Sequence, residues 1–213
     1  MKSVVIVDYG IGNIKSVQRG IEKVGANVKI SARTEDISSA DHLILPGVGA
    51  YEDGMKGLND TGVIPAIREF VQSGKPLLGI CLGMQMLLDR SEEHGLHKGL
   101  GLIPGIVKAV PQLEGNAIVR KIPHIGWSAL LSPPHSDDWR NSILGDTVEG
   151  EYFYFVHSFM AAPENDADLL AQCEDEGLRI AAAIKKENIT GLQFHPEKSG
   201  ECGLRILERF VRD

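Results

Sequence analysis

The residues Leu77-Leu78-Gly79-Ile80-Cys81-Leu82-Gly83-Met84-Gln85 join an apolar strand to a helix with no linker between them. Leu77–Ile80 reads as a strand that runs straight into Cys81, and Met84–Asp89 reads as the helix that follows. Glycines stand two positions before and two after the cysteine. This is the layout of a nucleophile elbow, in which a sharp turn lifts a reactive side chain out of the strand. Small neighbours are required because such a turn brings backbones close together. The start of a helix adds unpaired N–H groups and a partial positive charge, which favour a thiolate. The N–H of Leu82 is then placed to meet an oxyanion on a bound carbonyl. Outside this setting a cysteine more often packs as a small hydrophobe.

Upstream of the elbow, strands and helices alternate. Val4–Asp8 is a continuous apolar strand, as expected for one buried on both faces. After the turn Tyr9-Gly10-Ile11-Gly12-Asn13, residues Ile14, Val17, Ile21 and Val24 recur at helical spacing, and Gly25 closes the helix. Val28–Ser31 and Leu43–Leu45 are further strands, the latter ending in Pro46-Gly47-Val48-Gly49. A helix over Val63–Ser73 carries Ile64, Ile67, Phe70 and Val71 on one face and stops at Gly74. This order predicts an α/β fold with a mostly parallel central sheet flanked by helices.

Downstream the pattern changes. Ile106–Val110, Ala117–Lys121, Tyr152–His157, Leu169–Glu174, Arg179–Ile184 and Thr190–Phe194 read as strands. Their short connections predict added antiparallel strands, as an edge layer on the parallel sheet. Gly203–Val211 reads as a closing helix, and the polar, proline-containing stretch Ser132–Asn141 as a surface loop. No repeat or linker divides the chain, so residues 1–213 are expected to form a single domain.

Composition narrows the function. A length of 213 residues suffices for a core that needs neither disulfides nor metals. The net charge of -7 argues against a nucleic-acid surface. Cys81, Cys173 and Cys202 are too few and too widely spaced for a disulfide framework or a zinc site. The apolar run Val4–Val7 is too short for a signal peptide, and no run reaches the ~20 residues of a membrane span. The expected compartment is the reducing cytosol, with no membrane or nucleic-acid partner.

A cysteine nucleophile needs a base. Gln193-Phe194-His195-Pro196-Glu197-Lys198 follows an apolar strand and supplies one. Histidine both holds a thiolate and protonates a leaving amine near neutral pH. Glu197 stands two residues on, across a proline that fixes the backbone, where its carboxylate can orient the ring. His94 and His97, three apart, have no further ligand nearby, so no metal is expected. His124 and His157 are read as groups that orient backbone or neighbouring side chains. Gly10-Ile11-Gly12 lacks the third glycine of a dinucleotide fingerprint.

Together these elements resemble the class I glutamine amidotransferases. Cys81, His195 and Glu197 match that family's catalytic triad in order and spacing. The resemblance implies that Val48 and Gly49, with Leu82, form the oxyanion hole. It also implies that Gly47, Gln85, Glu93, Ser158 and Phe159 hold glutamine, the last two through their backbone. Five further segments extend the likeness along almost the whole chain: Asp8–Asn13, Pro46–Ala50, Pro123–Trp127, Tyr154–Phe159 and Phe194–Ser199. They are similar to the glutaminase subunits of imidazole glycerol phosphate synthases, of histidine biosynthesis. In that family the subunit forms a heterodimer with a (β/α)8-barrel cyclase and passes it ammonia, and no cofactor is implied. By position, Asn13, Trp127, Tyr154 and Lys198 belong to the cyclase interface. Ser128 and Phe159 depart from the asparagine and tyrosine usual at those positions.

Three other functions compete. A cysteine peptidase of similar fold places histidine directly after the cysteine, where this chain has Leu82. A noncatalytic binding subunit would not need all three triad residues. A glutaminase subunit of another class I amidotransferase, such as vitamin B6 synthase, would share the triad. The segments Asp8–Asn13 and Pro123–Trp127 favour the histidine pathway through resemblance alone.

Overall fold

The computed structural model describes residues 2–112, 121–134 and 139–212. In the first half, β1 (Ser3–Val7) leads through α1 (Ile14–Lys23) to β2 (Asn27–Ser31), then α2 (Thr34–Ser39) and β3 (His42–Gly47). Two consecutive helices, α3 (Tyr51–Thr61) and α4 (Ile64–Gln72), precede β4 (Leu77–Cys81) and α5 (Leu82–Met86). The second half holds β5 (Arg90–Ser91), β6 (His97–Lys98), β7 (Gly105–Ala109), β8 (His124–Ala129), β9 (Tyr152–His157) and β10 (Phe159–Pro163). It closes with β11 (Leu169–Asp175), β12 (Leu178–Lys186), β13 (Ile189–Leu192) and α6 (Gly200–Arg212).

The main sheet has the order β11-β12-β13-β4-β3-β1-β2. Strands β2, β1, β3, β4 and β13 run parallel, and β12 and β11 are antiparallel at one edge. Burial follows this order. Strands β3, β4 and β13 are buried along their whole length, whereas edge strand β2 exposes Asn27 and Lys29. One face packs on α1 and α6 through residues such as Ile21, Leu207 and Phe210, and the other on α2 to α5 through Ile37, Leu58, Ile67 and Leu87. The fold is therefore α/β with a mixed, mostly parallel sheet, as the strand and helix pattern predicts.

Several elements differ from expectation. Helices α2 and α3 were not legible in the sequence. Helix α3 carries Gly54 and Gly57, each unfavourable by about 1 kcal/mol in a helix interior. A side chain at Gly57 would lie 2.5 Å from the Tyr9 carbonyl oxygen, so close packing demands the glycine that obscures the helix. Helix α5 spans Leu82–Met86 rather than Met84–Asp89. The second half is not one edge layer: only β11 and β12 extend the main sheet, while β10-β7-β5-β6 and β8-β9 form two small separate sheets. The expected strand over residues 117–121 falls at 117–120 outside the described residues, as do residues 135–138 of the expected loop.

The consequence for the site lies in β13. Although it comes from the second half of the chain, it inserts parallel to β4, with Leu192 opposite Ile80. The residues that follow these two strands therefore emerge side by side, at the end of a parallel sheet where ligands usually bind.

Candidate active site

Cys81 closes β4 opposite Gly47 and opens α5 with φ 54° and ψ -111°, a conformation most side chains avoid. Such a residue costs on the order of 1–3 kcal/mol and persists only where its surroundings enforce it. Here the enforcing groups are backbone. A side chain at Gly83 would come within 1.8 Å of the Leu45 carbonyl oxygen, and one at Gly79 within 2.9 Å of the Gly83 carbonyl. Helix and strand cross so tightly that only hydrogen fits. The resulting turn faces the Cys81 sulfur into a cleft, with the Val156 carbonyl 3.9 Å away and the Gln193 amide donating at 3.8 Å.

The same cleft receives His195. Its N–H donates to the Tyr154 carbonyl at 3.0 Å, and its carbonyl accepts from Ser199 Oγ at 2.7 Å, so the backbone is pinned on both sides. The ring is buried, and Nδ1 lies 2.8 Å from Glu197 Oε1, itself fully enclosed. A carboxylate only accepts, so Nδ1 carries the hydrogen and Nε2 is the ring atom left for Cys81 and a substrate. Burial alone would lower the His195 pKa; the neighbouring Cys81 sulfur and the Glu197 carboxylate outweigh it and push it up to about 9. Tyr9 lies beneath the turn, and burial and then the Cys81 charge raise its pKa, so its hydroxyl stays protonated and donates to the Pro46 carbonyl at 2.5 Å.

The cleft measures about 570 Å³. Cys81 and His195 line it together with Val48, Gly49, Leu82, Gln85, Glu93, Ser158 and Phe159. Two expected residues do not. Glu197 stands behind His195, and Gly47 lies under the floor, where a side chain would meet the Tyr9 hydroxyl at 2.6 Å and the Gly83 nitrogen at 2.9 Å. Gln85 is held by its own amide, which donates to the Phe159 carbonyl and to Gln193 Oε1, each at 3.0 Å. Glu93 accepts from the Tyr51 N–H at 3.0 Å, tying the cleft rim to the start of α3.

Sequence reasoning missed Pro123, Val156 and the cleft-lining role of His94 and His157. It also missed Gln193, which is fully buried beside Cys81. A buried glutamine at the end of an apolar strand, two residues before His195, was the available signal. Among the described residues no cluster of metal-ligating side chains occurs, and His94 packs edge-on against Phe159 instead.

Trp127, Tyr154 and Lys198 come together on one surface. The Trp127 and Tyr154 rings sit 6.0 Å apart, and Lys198 Nζ lies 5.8 Å from the Tyr154 ring centre. Trp127 is 53% exposed, which removes it from the core. Asn13 stands at the entry to α1, the helix that packs against the Pro196–Lys198 turn.

Known proteins match the chain along almost its whole length. The family model for "Glutamine amidotransferase class-I" matches residues 5–213. A Legionella pneumophila (strain Lens) protein named "Imidazole glycerol phosphate synthase subunit HisH 1" is 51% identical, with the alignment covering 100% of both chains. The chain is a class I glutamine amidotransferase of the HisH family. Other HisH proteins are as fully matched: that of Aquifex aeolicus (strain VF5) is 43% identical over 98% of this chain and 95% of its own. Solved structures carry the fold beyond HisH. A crystal structure titled as a glutamine amidotransferase superposes with TM-score 0.71 at 18% identity, covering 97% of this chain and 98% of that one. PurLQS from Thermotoga maritima gives 0.67 at 20% identity, covering 100% and 99%.

Proposed function

We propose that this single-domain chain hydrolyses L-glutamine to L-glutamate and ammonia, with Cys81, His195 and Glu197 as the triad. The Cys81 thiolate attacks the side-chain carbonyl carbon of glutamine. The N–H groups of Leu82 and of the Val48–Gly49 loop stabilise the oxyanion. His195, oriented by Glu197, gives its proton to the departing ammonia, which leaves a thioester on Cys81. Water then attacks the thioester, His195 takes up its proton, and glutamate leaves with the Cys81 thiolate and protonated His195 restored. Gln85, Glu93 and the Ser158–Phe159 backbone hold the substrate. The observation that carries this reading is the shared cleft: a strained cysteine and a histidine whose Nδ1 is committed to a buried carboxylate 2.8 Å away.

The ammonia goes to a (β/α)8-barrel cyclase subunit, which uses it to form imidazole glycerol phosphate and AICAR in cytoplasmic histidine biosynthesis. The cyclase docks on the surface of Asn13, Trp127, Tyr154 and Lys198. Support comes from the HisH relatives and from the half-exposed Trp127 next to the cleft-lining strand β9. The test separates the two steps. In complex with the cyclase, Cys81→Ala should lose glutamine-dependent synthesis by about 10⁴-fold or more, yet keep synthesis from ammonium salt near normal. Trp127→Ala should weaken assembly by ~2 kcal/mol with the triad intact. Loss of ammonia-dependent synthesis in an assembled Cys81→Ala complex would overturn this division of labour.

A further inference from the structure

The Phe159 peptide forms one wall of the cleft and is held by side chains outside the triad. The Val110 N–H donates to the Ser158 carbonyl at 2.9 Å, and Phe159 lies opposite Ala109. That register makes Phe159 a non-hydrogen-bonded member of the β7–β10 ladder, so its own N–H and C=O both point away from β7. The carbonyl accepts twice on that side, from Gln85 Nε2 at 3.0 Å and from His157 Nδ1 at 2.8 Å. With both Ser158 and Phe159 carbonyls engaged, the Phe159 N–H is a backbone donor that this wall offers a substrate.

His157 continues into a chain. Its Nε2 lies 3.1 Å from His124 Nδ1, directly across the β8–β9 pair. His124 Nε2 lies 3.0 Å from Ser128 Oγ, with Gly126 between them adding no side chain. Both rings are buried, and His124 stacks on Phe155 with ring centres 5.3 Å apart. Donor and acceptor roles then follow from one fixed end. A carbonyl only accepts, so His157 Nδ1 bears the hydrogen. Burial lowers the His157 pKa to about 4, so the ring is neutral at pH 7 and its Nε2 is an acceptor. His124 Nδ1 must therefore donate, and its Nε2 pairs with the Ser128 hydroxyl 3.0 Å away.

Building on the glutaminase reading above, we infer that Ser128, His124 and His157 are positioning residues for glutamine. They form a hydrogen-bonded chain that runs from the strand bearing exposed Trp127 to the Phe159 carbonyl and aims the Phe159 N–H into the cleft. None of the three takes part in bond making. Their effect falls on substrate binding, because a peptide N–H holds the substrate and neither gives nor takes a proton in the reaction.

The test uses the full chain in complex with its cyclase and glutamine as substrate. His157→Leu should raise KM for glutamine about tenfold, the effect of one lost buried hydrogen bond, with kcat within threefold. His157→Asn keeps an N–H near the Nδ1 position and should restore KM most of the way. Ser128→Ala should raise KM two- to threefold. Nitrogen-15 NMR of the free chain at pH 7 should find His157 as a neutral Nδ1–H tautomer, with its signals shifting in Ser128→Ala. An unchanged KM in a folded His157→Leu complex, or a His157 protonated at Nε2 alone, would overturn the inference. A wild-type complex that does not hydrolyse glutamine would sink the glutaminase reading instead, and the His157 tautomer would still decide whether the chain runs as derived.

Discussion

Two regions of the main sheet each bury a cysteine, and they treat it in opposite ways. On the antiparallel edge, Cys173 lies mid-strand in β11 opposite Ile180, fully enclosed by apolar neighbours. Burial, with a further push from the Asp175 charge, raises its thiol to about 12. At the parallel centre, Cys81 is nearly as buried but sits at φ 54°, on a cleft, beside the His195 ring. Burial by itself thus silences a thiol. What distinguishes Cys81 is a turn that places an imidazole and open space next to the sulfur, and that turn depends on glycines which admit no side chain.

The contrast is sharpest in reactivity. A glutamine-mimicking electrophile at pH 7 should label Cys81 at least about 100-fold faster than Cys173, of which only about one molecule in 10⁵ is thiolate at the pKa above. Cys202, half-buried beside Glu151, should stay unlabelled as well. Mass spectrometry showing equal modification of all three would erase the distinction.

The elbow itself can be broken. Gly83→Ala puts a methyl where 1.8 Å separates it from the Leu45 carbonyl oxygen. The backbone must move, so urea denaturation should reveal a loss of about 3 kcal/mol or more, along with most glutaminase activity. A loss under about 1 kcal/mol would mean that the crossing relaxes easily and that the tightness of the turn is not what holds Cys81.

The cleft histidines give the parallel region its own pH signature. His195 is raised to about 9, so it binds a proton more readily folded than unfolded; its contribution is complete below pH 6.5 and lost as pH rises to about 9. His157 is lowered to about 4, so the unfolded chain takes up the proton first and stability falls as pH drops from 6.5 toward 4. Stability should peak near pH 6.5, each limb worth up to about 3 kcal/mol. Because Cys81 is one cause of the His195 shift, Cys81→Ala should shrink the alkaline limb. Denaturation midpoints across pH 4–10 test this, and an alkaline limb identical in Cys81→Ala would contradict it.

The smallest effect belongs to the edge. Cys173→Ala removes one buried sulfur and should cost about 1–2 kcal/mol, while kcat and KM for glutamine stay within twofold of wild type. A tenfold fall in glutaminase activity would show that the two regions are coupled through the sheet.

How much was legible in the sequence depended on distance along the chain. The elbow is local, since strand, cysteine and both glycines fall within seven consecutive residues, Leu77 to Gly83. His195 and Glu197 are likewise two residues apart, and their 2.8 Å contact needs only a short turn. Helix α3 escaped notice because Gly54 and Gly57 answer to packing against Met86 and Tyr9, not to helix propensity. Gln193 was passed over because its partner Gln85 meets it only across the sheet, and His124 and His157, read as orienting groups, could not be joined to each other from sequence because their contact crosses the β8–β9 pair. Gly47 joined the expected substrate group by its place in a motif, yet it lies under the cleft, packed against Tyr9.

By itself the sequence determined the features with a fixed spacing: the buried parallel strands, the strained cysteine turn, the histidine with its carboxylate, and the family to which they belong. Tertiary structure decided which of these meet. That β13 enters beside β4, bringing His195 to Cys81 across more than a hundred residues of chain, is a matter of strand order. No local pattern encodes strand order, because a fully buried strand such as Ile189–Leu192 fits any buried slot in the sheet until the layers around it are packed.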